Sequence, residues 1–187
     1  MRAQSLASIL ISTSRLIRLS GQTLAWLNLL MVAGTLAIVI LRYAFATSLP
    51  ALQEGVMYVH AIIFMLGMAF TMEMDEHVRV DIVYQRLSAK GKAWVNIAGG
   101  LTLLLPMMIY IGWESLDYVA LSWQSRETSQ EAGGLPYVYL LKTLIPVMVG
   151  MLVIQVVLDI SRQGFFILSG QTPEASLQTH QEQVEHG

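Results

Sequence analysis

Long apolar stretches alternate with short polar connectors along this chain. Four of them, residues 23–46, 51–72, 94–123 and 135–160, are long enough to cross a bilayer, which takes about 20 residues. Leu, Met, Ala and Ile dominate them without the alternation of a half-buried strand. Each is predicted to be helical, because lipid offers no partner to an unpaired peptide group. The third, at 30 residues, would rise about 45 Å against a hydrocarbon core of about 30 Å. Ordinary tilts do not absorb that excess. The stretch is therefore predicted to project from one side, carrying Glu114 and Asp117 to or beyond the surface, with a bend at Pro106.

The flanks read differently. In residues 3–20, Leu6, Ile9, Leu10, Leu16 and Ile17 share a helical face opposite Ser8, Ser12 and Arg15. That pattern suits an amphipathic helix lying in the membrane interface; a solvated lead-in is the alternative. Its short apolar patch, residues 6–11, is followed by Arg15 and Arg18, unlike a cleavable signal peptide. The expected organisation is an interfacial segment at 1–22, a four-helix membrane domain at 23–161, and a Gln- and Glu-rich disordered tail at 162–187.

Between the second and third stretches, residues 73–92 gather four acids, four Lys or Arg and His77. Val80, Val83, Tyr84 and Leu87 fall at i, i+3, i+4 and i+7, one apolar face of a short helix. Ser88 is placed to cap the third span, and Lys90 and Lys92 to meet headgroups. His77 and Asp81, four apart, could bridge or contact a partner; two ligands without a third make only a weak metal site, with a proton relay as the other minor reading.

Composition supports a membrane protein. Apolar residues are 55% and charged residues 13%, where a soluble domain has about a quarter charged; the mean hydropathy is +0.56. A net charge of −2 gives no footprint for nucleic acid. The chain has no cysteine, which excludes disulfides, thiolate metal sites and cysteine nucleophiles. Lys and Arg set orientation. Arg2, Arg15, Arg18, Arg79, Arg86, Lys90, Lys92 and Arg162 lie on one side of the expected bundle, and Arg42 and Arg126 on the other. Both termini are therefore predicted to be cytoplasmic.

Few polar residues remain within the spans. Arg42 and Glu54 map to the same outer boundary and could form an interfacial pair, face a partner subunit, or reach to water. His60 shares a stripe with Met57, Phe64, Gly67 and Thr71, suggesting a hydrogen-bonded helix–helix contact. Lys142 either reaches up to water or bridges to Glu114 or Asp117. Gly133, Gly134 and Pro136 form a turn before the fourth span, with Pro136 suited to its first helical turn; no Lys-Ser/Thr follows to make a phosphate loop. No catalytic, metal or cofactor constellation gathers, so an enzyme is not expected.

"LRYAF" closing the first span, a Glu opening the second in "LQEGVMYVHAIIFMLGMAFTM", and "HVRVD" after it together resemble the small membrane subunit, DctQ-type, of tripartite ATP-independent periplasmic (TRAP) transporters. "GKAWVNIAGG" and "EAGGLPYVYLLKTLIPVMVG" are similar to the stretches beside that family's last two spans. The resemblance implies a bacterial inner-membrane scaffold without cofactor. Its implied partners are a large membrane subunit that moves an organic acid with sodium, a periplasmic binding protein that delivers it, and membrane lipid. Arg42, Glu54, His77, Arg79 and Asp81 match the family pattern. Glu114, Asp117, Arg126, Glu127 and Glu131 are candidate contacts for the binding protein. The alternative is a stand-alone four-helix exporter coupled to protons, which would need a carboxylate deep within a span.

Overall fold

A computed structural model describes residues 26–73, 84 and 86–170. The described residues are helical, with no strand. Helix α1 spans Trp26–Ala44, α2 Pro50–Glu73, α3 Ala89–Ser125 and α4 Val138–Ser169. All four are long and apolar enough to span a membrane. The expected interfacial helix, and His77, Arg79 and Asp81, lie outside the described residues.

Helix α4 is the centre of the bundle. A third of its most apolar window is buried, against 6% for α2 and α3 and none for α1. It packs against α2 on one side and along α3 on the other. Ala69 of α2, Met108 of α3, and Met148, Val149 and Leu152 of α4 form the core, extended by Met65, Met68, Met72 and Met151. Unbranched thioether side chains fill the irregular gaps between such helices. Two glycines of α3 allow the backbones to approach. A Cβ on Gly112 would stand 3.0 Å from Val149 Cγ1, and one on Gly100 3.3 Å from Ile160 Cδ1. Close packing of this kind, rather than the hydrophobic effect, holds membrane helices together. Helix α1 meets α2 the same way: a Cβ on Gly34 would lie 2.6 Å from Val56 Cγ2. The large side chains that remain exposed, such as Leu36, Leu103 and Trp113, form an apolar outer surface suited to lipid.

Helix α3 has 37 residues, a rise of about 55 Å, and so exceeds the bilayer by more than the sequence suggested. Its irregularity precedes Pro106. Residues Gly100–Leu104 form a wide π-turn in which the Leu105 amide bonds the Gly100 carbonyl, and the regular helix resumes at Leu105 with Pro106 in its first turn. A proline there gives up no bond that the wide turn has not already rearranged. Ser88 caps the start as predicted, its Oγ accepting from the Gly91 amide at 3.2 Å. Tyr84 docks the end of the connector onto α3 through its hydroxyl and Asn96 Oδ1, 3.2 Å apart.

Helix α4 corrects two expected boundaries. It begins at Val138, so Pro136 precedes the helix rather than opening it. It continues to Ser169 and stops at Gly170, whose φ of 71° suits glycine. Residues 162–169 are thus the last turns of α4 and not tail; residues 171–187 lie outside the described residues.

Candidate functional site

The α1–α2 turn and the α3–α4 loop meet at one end of the bundle. The turn is tight: Ala46 takes a left-handed φ of 50°, and the Thr47 amide returns to the Leu41 carbonyl at 3.0 Å. Four residues into α2, Glu54 faces the α3–α4 loop. Its carboxylate accepts hydrogen bonds from the Ser129 hydroxyl and, at 2.6 Å, from the Leu135 amide. The loop is shaped to make both bonds. Ser129 and Leu135 are themselves joined, amide to carbonyl, at 3.1 Å. Between them Glu131–Gly134 closes a turn, with the Gly134 amide on the Glu131 carbonyl at 3.0 Å and Gly133 at φ 81°. A positive φ at the third position is the type II arrangement that favours glycine. Gly134 is constrained by space instead: a Cβ there would fall 2.4 Å from Ser129 Oγ and 2.7 Å from Glu54 Oε1.

A second tie joins the loop to α4. Lys142 Nζ lies 2.5 Å from Glu127 Oε2 and 3.9 Å from the centroid of the Tyr118 ring. The Lys142 hydrogen bond is the main reason that the Glu127 carboxyl is held below its ordinary range. The expected bridge from Lys142 to Glu114 or Asp117 is therefore replaced by one to Glu127, which follows the turn of α3 at Arg126, φ 45°. One turn further on, Trp123 Nε1 donates to Thr143 Oγ1 at 2.8 Å, and its ring packs edge-on to Tyr139. Beside the loop an open groove of about 470 Å³ is lined by Ala61 and Met65 of α2, Tyr118 of α3, Glu127 of the loop, and Lys142 and Ile145 of α4.

The remaining sequence candidates are dispersed. Arg42 is exposed at the end of α1 and forms no pair with Glu54, whose oxygens are taken by the loop. Glu114, Asp117, Arg126 and Glu131 are exposed on α3 and the loop. His60 lies on the exposed face of α2, stacked on Phe64 of the same helix rather than packed against a second one. Sequence reasoning missed Ser129, the Leu135 amide and Tyr118. A backbone donor leaves no signature in side-chain identities, and a tyrosine in an apolar helix reads as packing.

No group of three or more His, Cys, Asp or Glu among the described residues could hold a metal ion. What the site can do is mechanical: it fastens the start of α2, the end of α3, the α3–α4 loop and the start of α4 into one unit. A family model described as "Tripartite ATP-independent periplasmic transporters, DctQ component" matches residues 31–164, well over half of the chain. No curated protein and no solved structure matches it.

Proposed function

The chain belongs to the DctQ component family of the tripartite ATP-independent periplasmic transporters, and on that premise we propose that it is the scaffold subunit of such a transporter in a bacterial inner membrane. It holds a large transport subunit in place while that subunit carries an organic acid inward with sodium. A periplasmic binding protein delivers the acid to the end of the bundle that bears the α3–α4 loop.

One observation carries this reading: no acid among the described residues is buried in the packed core, and the acid at the start of α2 is spent on architecture. Glu54 is the fifth residue of α2 and is occupied by Ser129 and Leu135. Asp159 stands 21 residues beyond the start of α4, about 31 Å along it, which is close to the opposite boundary. A proton-coupled exporter needs a carboxylate buried within its spans, and among the described residues there is none. The exposed Glu114, Asp117, Arg126 and Glu131 supply polar groups at the loop end for a soluble partner, and the two ties beneath them keep that surface fixed.

Two experiments test the proposal. Tagged chain co-expressed with the large-subunit reading frame is expected to purify as a stable complex; recovery of the chain alone would overturn it. Because the chain has no cysteine, a single one placed at Glu131 reports topology. It is expected to react with a membrane-impermeant maleimide in intact spheroplasts, and one placed at Arg86 is expected to react only after lysis.

A further inference from the structure

The polar residues of the described spans mostly find partners within the chain. Thr35, Thr71, Thr102 and Ser161 each bond a carbonyl one turn back in their own helix. Glu54 and Lys142 are tied to the α3–α4 loop. His60 is one that does not. It is the eleventh of the 24 residues of α2, about 15 Å from the start of a helix some 36 Å long. The ring therefore lies well away from either end of the helix. Its ring is exposed and stacks on Phe64, 6.2 Å between centroids at 24°. Neither ring nitrogen has a hydrogen-bond partner among the described residues.

An imidazole facing hydrocarbon at mid-depth carries an unmet donor and an unmet acceptor, an arrangement that membrane helices avoid by turning such groups towards protein. The surroundings of His60 fit a protein contact. Met57 and Phe64, one turn to either side, are 49% and 61% exposed. Gly67, on the same face, has nothing within 4 Å of where a Cβ would stand, so another backbone can come close there.

We propose that the face of α2 bearing Met57, His60 and Phe64 docks a transmembrane helix of the large subunit, which presents a hydrogen-bonding side chain to His60 at mid-membrane depth. The proposal rests on the scaffold reading above. A component of a multi-subunit transporter has another membrane component at hand, and the polar atom at the centre of this face selects a partner that offers a polar group rather than lipid.

The test uses the complex co-expressed in native membranes, with benzoylphenylalanine in place of Met57, of Phe64, or of Leu103, which is 72% exposed on α3. Ultraviolet crosslinks to the large subunit are expected from 57 and 64 and not from 103. His60→Leu is expected to weaken retention of the large subunit about three- to ten-fold, the range for one hydrogen bond between membrane helices, and His60→Gln to restore most of it. A complex that forms while 57 and 64 crosslink only to lipid or to a second copy of this chain would overturn the docking face and leave the scaffold reading standing. So would a His60→Leu chain that retains the large subunit like the wild type. Failure of any complex to form would overturn both.

Discussion

The Leu135 amide donates to the Glu54 carboxylate across 2.6 Å, joining the start of α2 to a loop residue 81 positions later. With the Ser129 hydroxyl on the other oxygen, it fixes the α3–α4 loop over α2. Glu54→Ala is expected to release the loop. Amide exchange at 129–135 should accelerate while exchange in the core of α4 is unchanged, and Glu54→Gln should fall between, since a carboxamide keeps one acceptor and loses the charge assistance. Unchanged exchange in both variants would mean that the loop holds itself.

Gly134 has no room for a side chain, since a Cβ there would overlap Ser129 and Glu54. Gly134→Ala is expected to cost about 1–3 kcal/mol, the usual range for forcing a methyl group into a packed site, read as a lower thermal midpoint in detergent. Gly133→Ala should cost about 1–2 kcal/mol by a different route, the left-handed φ of 81°. Combining Gly134→Ala with Glu54→Ala should cost less than the sum of the two, because part of the overlap has been removed.

The Glu127–Lys142 pair gives a pH dependence with a definite sign. The folded-state pKa of Glu127 is lowered from its ordinary 4.5, so the stabilisation it brings is present above that value and is lost as pH falls through the lower folded value. The wild type should therefore lose thermal stability more steeply than Glu127→Gln as pH drops below about 4.5, and the two curves should run parallel at neutral pH. A gap that opens only on the alkaline side would contradict the pairing.

Helix α1 is crowded against α2 where Gly34 faces Val56. Gly34→Leu is expected to push α1 away, lowering the thermal midpoint and the yield of a disulfide engineered between the two helices. Val56→Ala in the same chain should recover part of both. If Gly34→Leu is silent, α1 is not seated by this contact.

The spans, the Ser88 cap and the turn at Gly133 and Gly134 were legible in the sequence because each is a local matter of hydropathy, a capping hydroxyl or a required φ. The partners of the charged groups were not. Shared depth makes Arg42 one candidate partner for Glu54, and Glu114 or Asp117 for Lys142, beside water or another subunit for the first pair and water for Lys142, but depth says nothing about rotation around a helix. The loop, folded back by Gly133, brings Ser129 and the Leu135 amide to Glu54 first. Arg126 takes a left-handed φ at the end of α3, and Glu127, the next residue, lies against Lys142. The stripe around His60 predicts a helix–helix contact, but in this chain Met57, His60 and Phe64 are exposed, because a stripe read along one helix does not say which way it faces. The wide turn at Gly100–Leu104 had no separate mark beyond the proline that follows it.

A passive frame has no path for a solute or a proton through its own centre, and proton entry is the most direct measure of that. The purified chain, reconstituted alone into vesicles loaded with pyranine and given an acid pulse outside, should acidify the interior no faster than protein-free vesicles do. Faster entry that Glu54→Gln abolishes would show a conducting carboxylate in place of a structural one, and the chain would then be a transporter in its own right.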